Sequence, residues 1–507
     1  MSIGGLVKPA RRVGRLVFLF TFCLYTMTTG GSMATDIMTY EVTKNIVERG
    51  SVAMSYNLYQ MDAHRGIDGR YYAPYGVGHA IYSIPFYLAG LVAERMIGFE
   101  VGKEEALRKA AVAGGSTVAA AASVWFVFWF AWRLIGSLYA AVMVALSFGF
   151  STLLWPYSKF GFNAPLATLC VVGGVYGCWL GVRERRPAAL VAGGVGLACA
   201  LLVRHELALV TLPVGVWLLL ESWPRWSVFV RRSVLAGAPV VVALLITAYY
   251  NMARFGNPLD TGYLRDETAG FGPVWEGALG LLVSPGGSLF VYSPLLILCA
   301  VAFSGLYRTD RHTTILFGGV VVVLLAFYAL LQHWDADRSY GPRYLLPTFA
   351  FFCIPLGWWF REPRKSPRHC IALAAVLVSA LVQLPGVLVD FSKVGSMPGT
   401  SQRTLQERRW DWGSTALAVN TRATLKLVPR NVAYLTGGVP RPALKPATGL
   451  ARDFSEQFAF SLDFWWLYLF YLGAVSAPVA LFLGSVPLGL AAWLLVGIRR
   501  QLAQGEA

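Results

Sequence analysis

Charge is what this chain has least of. Only 14% of its 507 residues are Asp, Glu, Lys or Arg, against about 25% in a soluble domain, which is too little ionic surface to face water on all sides. Acids are the scarcer half, 27 against 43 basic residues, leaving a formal charge of +16. The basic residues fall in short bursts between apolar runs, as in Arg11-Arg12 with Arg15, Arg183-Glu184-Arg185-Arg186, Arg231-Arg232, Arg361 to Arg368 and Arg499-Arg500. That placement is the cytoplasmic-face bias of membrane proteins and argues against nucleic acid as a partner. The seven cysteines (Cys23, Cys170, Cys178, Cys199, Cys299, Cys353, Cys370) lie within or at the edge of apolar segments without zinc spacing. They read as small hydrophobic filler. A Walker motif, a zinc-protease helix and a Gly-x-Ser-x-Gly elbow are all missing, which disfavours a nucleotide-driven enzyme. So is any repeat at the periods of solenoids, or an inverted repeat of the transporter kind.

What the chain does have is apolar length: 56% of it is hydrophobic and its mean hydropathy is +0.55. Apolar runs fall near 13–30, 78–97, 110–131, 134–155, 164–182, 188–203, 207–221, 233–251, 286–306, 313–331, 344–360, 370–389 and 464–498. Most are near the length that crosses about 30 Å of hydrocarbon. The expected fold is all-α, a polytopic transmembrane bundle of about 12–14 spans. The last run is too long for one upright span and reads as an interfacial aromatic helix, Phe464-Trp465-Trp466-Leu467-Tyr468, leading into a crossing. The first run follows a basic N-terminus as a signal peptide does; it is read here as an uncleaved helix.

With the N-terminus inside, the basic bursts place 31–77, 252–285, 332–343 and 391–462 outside, and bring Lys103 to Lys109 back inside. One conflict results. Three apolar runs separate Lys109 from Arg183, both assigned inside, where parity needs an even number.

The long polar stretches are on the outer side, so the chemistry is sought there. Residues 31–77 form a first loop far longer than a simple connection needs, and Asp36 stands alone near its start. Residues 36–49 have an amphipathic pattern, with Asp36, Tyr40, Thr43 and Val47 on one face and Met38, Val42 and Ile46 on another. Asp36 suits a catalytic carboxylate over the bundle mouth, and equally a helix N-terminus. Arg65, Arg70, Tyr72 and Tyr75 supply donors and stacking surfaces for sugar or phosphate, or form an interfacial aromatic belt. In Gln332-His333-Trp334-Asp335-Ala336-Asp337-Arg338-Ser339-Tyr340-Gly341-Pro342-Arg343-Tyr344, Arg343 is set to meet an anionic headgroup at membrane level. Asp335 and Asp337 are weak candidates for a divalent metal. Lys159 and Arg204 are costly within a membrane; for each, snorkelling or an ion pair is the alternative to function.

Taken in order, five blocks resemble the glycosyltransferase C superfamily, in particular the bacterial branch related to protein O-mannosyltransferases and lipid A aminoarabinose transferases. They are Asp36 with Tyr40 and Val47-Glu48-Arg49-Gly50; Gly69-Arg70-Tyr71-Tyr72-Ala73-Pro74-Tyr75-Gly76; Tyr250-Asn251-Met252-Ala253-Arg254-Phe255-Gly256-Asn257-Pro258; Ser284-Pro285 with Gly287, Leu289-Phe290 and Tyr292-Ser293-Pro294; and Ser339-Tyr340-Gly341-Pro342-Arg343-Tyr344-Leu345-Leu346-Pro347. The resemblance covers roughly residues 13–360. It divides the chain into a catalytic membrane module, 1–360, and a C-terminal part, 361–507, with an outer loop at 391–462.

The resemblance implies a polyprenyl-phosphate sugar as donor, inverting transfer to a hydroxyl at the outer face of the plasma (inner) membrane, and Asp36 as general base. The acceptor is left open between glycan, lipid and protein. Many family members carry two adjacent acids in the first loop; here Ile37 follows Asp36, which puts metal dependence in doubt, and no cofactor is expected. Arg343, with Lys159, Arg204 or His333, would hold the donor phosphate, and Tyr40, Arg65, Arg70, Tyr72, Tyr75 and Tyr340 would face sugar or acceptor. The rival reading is a transporter or flippase of a lipid-linked saccharide.

Overall fold

The computed structural model describes residues 3–30, 37–54, 63–97, 105–265, 270–336, 339–394, 404–442 and 461–506. Asp36 and Asp337 lie outside the described residues. The apolar runs become helices, because a helix satisfies its own peptide groups where lipid offers no partner. After α1 (Ile3–Met27) come α2 (Ile37–Arg49), the hairpin strands β1 (His64–Arg65) and β2 (Tyr71–Tyr72), and α3 (Gly78–Ile97). Then follow α4 (Ala106–Ile135), α5 (Leu138–Phe150), α6 (Leu154–Ser158), α7 (Asn163–Arg183), α8 (Pro187–Val203), α9 (Thr211–Leu220, entered through a 3-10 turn), α10 (Trp226–Phe255), α11 (Val274–Val283) and α12 (Leu289–Tyr292). The chain continues through α13 (Leu295–Thr309), α14 (Arg311–Ala329), α15 (Leu346–Cys353), α16 (Gly357–Phe360) and α17 (Pro367–Leu388). The all-α polytopic expectation holds.

Local signals set the boundaries. Gly136 ends α4 in the left-handed region (φ 77°), and Ser137 then caps α5, its hydroxyl accepting from the Ala140 N–H. Asp310 does both jobs between α13 and α14. The final apolar run divides as expected, into an aromatic helix Trp465–Tyr471 and a terminal helix Ala477–Glu506. Where α7 meets α8, backbones touch: a Cβ on Gly193 would lie 2.3 Å from the Cys178 amide nitrogen. Small residues allow that approach, which lipid alone would not drive.

Charged contacts identify the two ends of the bundle. At one end Arg133 pairs with Glu184, and Arg183 lies 3.0 Å from Glu221 and 2.6 Å from Asp310. This basic end therefore collects the last turn of α4, the last turn of α7, the end of α9 and the α13–α14 junction. At the other, Thr117 donates to the Ser158 carbonyl (2.9 Å) and meets Thr29 (3.4 Å), while Ser116 donates to Phe162 O (3.0 Å). The first ten residues of α4 thus rise past the end of α1. There they join α2 and α3 in a roof: Arg108 bonds Glu48 (3.1 Å) and Glu94 (2.7 Å), and Lys44 pairs with Glu105.

This corrects two expectations. The run 78–97 is helical but lies in the roof, and Lys109 sits there too, 3.7 Å from Glu105 and over the Tyr40 ring; Lys103 is outside the described residues. The physical reason is that Lys44, Glu48, Glu94, Glu105, Arg108 and Lys109 neutralise one another, so their cations carry no inside bias. With α3 removed, three passes (α4, α5, α7) join roof to basic end and parity is restored. Among the described residues twelve passes run between the ends: α1, α4, α5, α7, α8, α9, α10, α13, α14, α15 with α16, α17 and the terminal helix. Six of these, α4, α7, α10, α14, α17 and the terminal helix, are long and apolar enough to cross a membrane alone.

The two faces of α2 read from the sequence are both used. Met38, Val42 and Ile46 pack with Met54, Ala73 and Ala80, while Tyr40 and Val47 pack with Tyr87 and Val112.

Candidate functional site

The loop-end mouth of the bundle is organised around Arg343. It opens a single 3-10 turn, Arg343–Leu345, ahead of α15. The turn into it needs Gly341, which has φ 74° and whose Cβ position would fall 2.6 Å from the Tyr292 ring. Ser339 Oγ donates to the Gly341 carbonyl (2.8 Å), and the Tyr340 N–H donates to Tyr157 Oη (3.0 Å). So placed, the half-buried Arg343 guanidinium lies 5.2 Å from the Phe162 ring and 5.4 Å from the Tyr344 ring.

Arg204 approaches the same Tyr344 ring at 4.8 Å. It stands where α8 breaks into extended backbone, its Nε 2.8 Å from Glu206 Oε1. Tyr328 Oη donates to that Glu206 oxygen (2.8 Å) and its ring stacks on Tyr344. Two guanidiniums therefore share one aromatic ring, and only Arg204 is neutralised: among the described residues no carboxylate lies within ion-pair distance of Arg343. Tyr75 of the roof meets Tyr263 at 5.8 Å, and Tyr263 lies within electrostatic reach of Arg204 and Tyr344. An aromatic, net-cationic mouth of this kind suits an anionic headgroup attached to an apolar chain.

The roof is fastened over this mouth from α10. Arg254 is 1% exposed; it donates to the Ala73 carbonyl (2.5 Å) and to Asn251 Oδ1 (2.8 Å), with its guanidinium 3.7 Å above the Tyr250 ring. In the hairpin Tyr72 Oη donates to Asp68 Oδ2 (2.7 Å). That bond holds the Asp68 carboxyl below its ordinary pKa, while burial and then Asp68 push the Tyr72 phenol up to about 12.

The other sequence candidates divide plainly. Arg65 and Arg70 are exposed on the hairpin. Tyr72 packs edge-on to Phe255, and Tyr40 is 1% exposed between Tyr87 and Lys109. Tyr340 is fully buried and donates to the Val382 carbonyl. Lys159 is fully buried too, 2.9 Å from Asp463 Oδ2 and donating to the carbonyls of Val387 (2.6 Å) and Asp463 (3.1 Å). Asp335 is held by Arg409 (2.8 Å). Among the described residues no cluster of three or more His, Cys, Asp or Glu side chains is arranged to hold a metal. His333 is half-buried, with an Nδ1 that has no hydrogen-bond partner among the described residues.

Arg343, Arg204 and Tyr75 are thus brought to one mouth, whereas Tyr40, Tyr72 and Tyr340 are buried among aromatic neighbours and Asp335 and Lys159 are ion-paired. Sequence reasoning missed Tyr328, which sits in an apolar run and gave no signal. It also missed Asp463, although a lone acid within Ser461-Leu462-Asp463-Phe464-Trp465 is the kind of costly group that calls for a partner.

No family model and no curated protein matches the sequence. Solved structures do. The Archaeoglobus fulgidus oligosaccharyltransferase in its apo form is 11% identical, with a TM-score of 0.50, and the match covers 78% of this chain and 59% of that one. ArnT from Cupriavidus metallidurans bound to undecaprenyl phosphate is 15% identical over 90% of this chain and 85% of that chain, with a TM-score of 0.48. AglB from Archaeoglobus fulgidus in complex with an inhibitory peptide and a dolichol-phosphate is 10% identical over 75% and 55%, with a TM-score of 0.45. The first of these likenesses shows the fold: this chain shares the helical architecture of that oligosaccharyltransferase.

Proposed function

We propose that the chain is a membrane glycosyltransferase that moves a sugar from a polyprenyl-phosphate donor to a hydroxyl acceptor at the loop end of the bundle, with inversion. The observation that carries this reading is Arg343. A guanidinium with no carboxylate partner among the described residues, set among aromatic rings beside a neutralised Arg204–Glu206 pair, suits an anion from outside the protein. A monophosphate on a polyprenyl chain is such an anion, and its tail is soluble in the surrounding lipid.

In the reaction the acceptor oxygen forms a bond to the anomeric carbon as the carbon–oxygen bond to phosphate breaks. Polyprenyl phosphate leaves, and the acceptor proton goes to a base. Arg343 would stabilise charge growing on the leaving phosphate, with Arg204 or His333 as further donors. Asp36 is the proposed base; that role rests on its place in the first loop and on the family resemblance. The loop end would face the outside of the plasma membrane, since the other end carries the basic bursts.

The deciding experiment is to incubate the purified chain in nanodiscs with a panel of polyprenyl-phosphate sugars and a mixed acceptor extract, following release of polyprenyl phosphate. Release with at least one sugar, dependent on acceptor, is expected. Movement of the intact donor between leaflets with no release across the panel would instead favour the flippase reading.

A further inference from the structure

The helix Ala416–Leu435 lies within the segment to which the sequence assigned no role. Thr415 caps it, accepting from the Ala418 N–H (3.1 Å). One face is buried: Asn420, Leu427 and Asn431 are each at most 2% exposed, and Asn431 Oδ1 accepts from Tyr471 Oη (2.6 Å) and from the Leu462 N–H (3.2 Å). The opposite face carries two parallel strips. Leu425 (72% exposed), Val428 and Val432 form an apolar one. Arg422, Lys426 and Arg430, spaced four apart and all exposed, form a cationic one. Among the described residues no carboxylate pairs with these three cations; Arg422 donates to the Gly413 carbonyl (2.6 Å).

The depth of this helix is set by its partners. Leu427 belongs to the same packed cluster as Ala480, in the first turn of the terminal span. Val479 and Phe482 on that span are exposed beside it, and Trp412 is 62% exposed just before the helix begins. The apolar strip is therefore level with the start of a lipid-facing span, at the boundary between hydrocarbon and headgroups. An exposed Leu-Val strip is unfavourable in water and favourable there, and cations flanking it belong among anionic headgroups. These cations are also at the end of the bundle away from the basic bursts, so inside bias does not account for them.

We propose that Ala416–Leu435 is an in-plane interfacial helix that binds anionic phospholipid headgroups of the leaflet at the loop end, through Arg422, Lys426 and Arg430. This is independent of the proposed transferase activity. Its N-terminal turn lies close to the mouth, since the Leu417 N–H donates to Tyr292 Oη and Tyr292 packs against Tyr340.

The test uses the full chain in nanodiscs of phosphatidylcholine with a minor share of phosphatidylglycerol, each radiolabelled in turn. Benzoylphenylalanine is placed at Leu425, and at Phe482 as a lipid-facing control. The Leu425 probe should form lipid adducts, with phosphatidylglycerol enriched about threefold or more over its share of the bilayer, as a few cations at the surface require. In the Arg422→Gln, Lys426→Gln, Arg430→Gln variant the enrichment should fall to about one, while adducts at Phe482 persist and show that the span is still in place. Absence of lipid adducts at Leu425, or enrichment unchanged in the triple variant, would overturn the proposal. So would capture of a protein at Leu425 in native membranes in place of lipid.

Discussion

The Lys159 ammonium lies 2.9 Å from the Asp463 carboxylate with neither side chain exposed, joining residues 304 apart in the chain. The pair clamps the C-terminal segment over the end of α1, where the Trp465 and Trp466 indoles donate to the carbonyls of Thr26 and Met27. Leaving one buried charge without its partner costs about 3–5 kcal/mol, while exchanging both for apolar groups costs much less. Asp463→Ala should therefore lower the thermal midpoint in detergent sharply, and Lys159→Met with Asp463→Leu should recover most of the loss. A Lys159→Met variant with a normal midpoint and lost donor affinity would instead return Lys159 to the list of phosphate ligands.

Acid should loosen the roof through His79. This side chain is 4% exposed at the start of α3, and burial pulls its pKa from 6.5 to about 4. Between those values the unfolded chain takes up a proton that the folded chain refuses. The stabilisation is therefore complete above pH 6.5 and declines as pH falls toward 4, by about 3 kcal/mol in all. Between pH 7.5 and 4.5 the thermal midpoint of the native chain should fall more steeply than that of His79→Gln, so that the difference between them changes with pH. A constant difference across that range would remove His79 from the account.

The fold was largely legible because lipid makes apolar run length decisive. The break before the terminal helix, the two faces of α2 and the helices at each run could be read directly. The position of α3 could not, because its apolar run reads as a span and only the contacts of its Tyr87 and Glu94 with Glu48 and Arg108 reveal the roof. At the site, Arg343 and Arg204 were visible as cations out of place, whereas Tyr344 as their shared ring and Tyr328 behind it depend on tertiary contact alone.

The roof assignment makes a labelling prediction. An impermeant maleimide should modify Lys109→Cys from the same side of the membrane as Arg70→Cys, and Arg186→Cys only from the other. Modification of Lys109→Cys from the Arg186 side would put α3 back across the bilayer.

Arg343 should govern donor binding. Hydrogen bonds to a charged group contribute about 1.5–3 kcal/mol, so Arg343→Ala should weaken binding of polyprenyl phosphate by roughly ten- to a hundredfold in calorimetry. Arg343→Lys should recover only part of this, since an ammonium does not reproduce the two-pronged geometry. Unchanged affinity in the alanine variant would move the phosphate to Arg204 or His333.

Asp36→Asn separates chemistry from binding. The amide keeps the size of the carboxylate and much of its hydrogen bonding but is not basic. Folding and polyprenyl-phosphate affinity should therefore survive while turnover collapses. General-base catalysis contributes roughly 10²–10⁴-fold, and a carboxylate that also orients the acceptor hydroxyl adds to that. The measurement is release of polyprenyl phosphate from a labelled donor in the presence of acceptor, native chain against variant at equal folded amounts. A flippase would show no such dependence, because no bond is made and no acceptor proton is removed. Should the variant keep more than about a tenth of native turnover, below the smallest loss expected of a base, the proton goes elsewhere. The search would then turn to the carboxylate that already stands at the mouth, Glu206, which is freed for such a role only if Arg204 swings toward the phosphate.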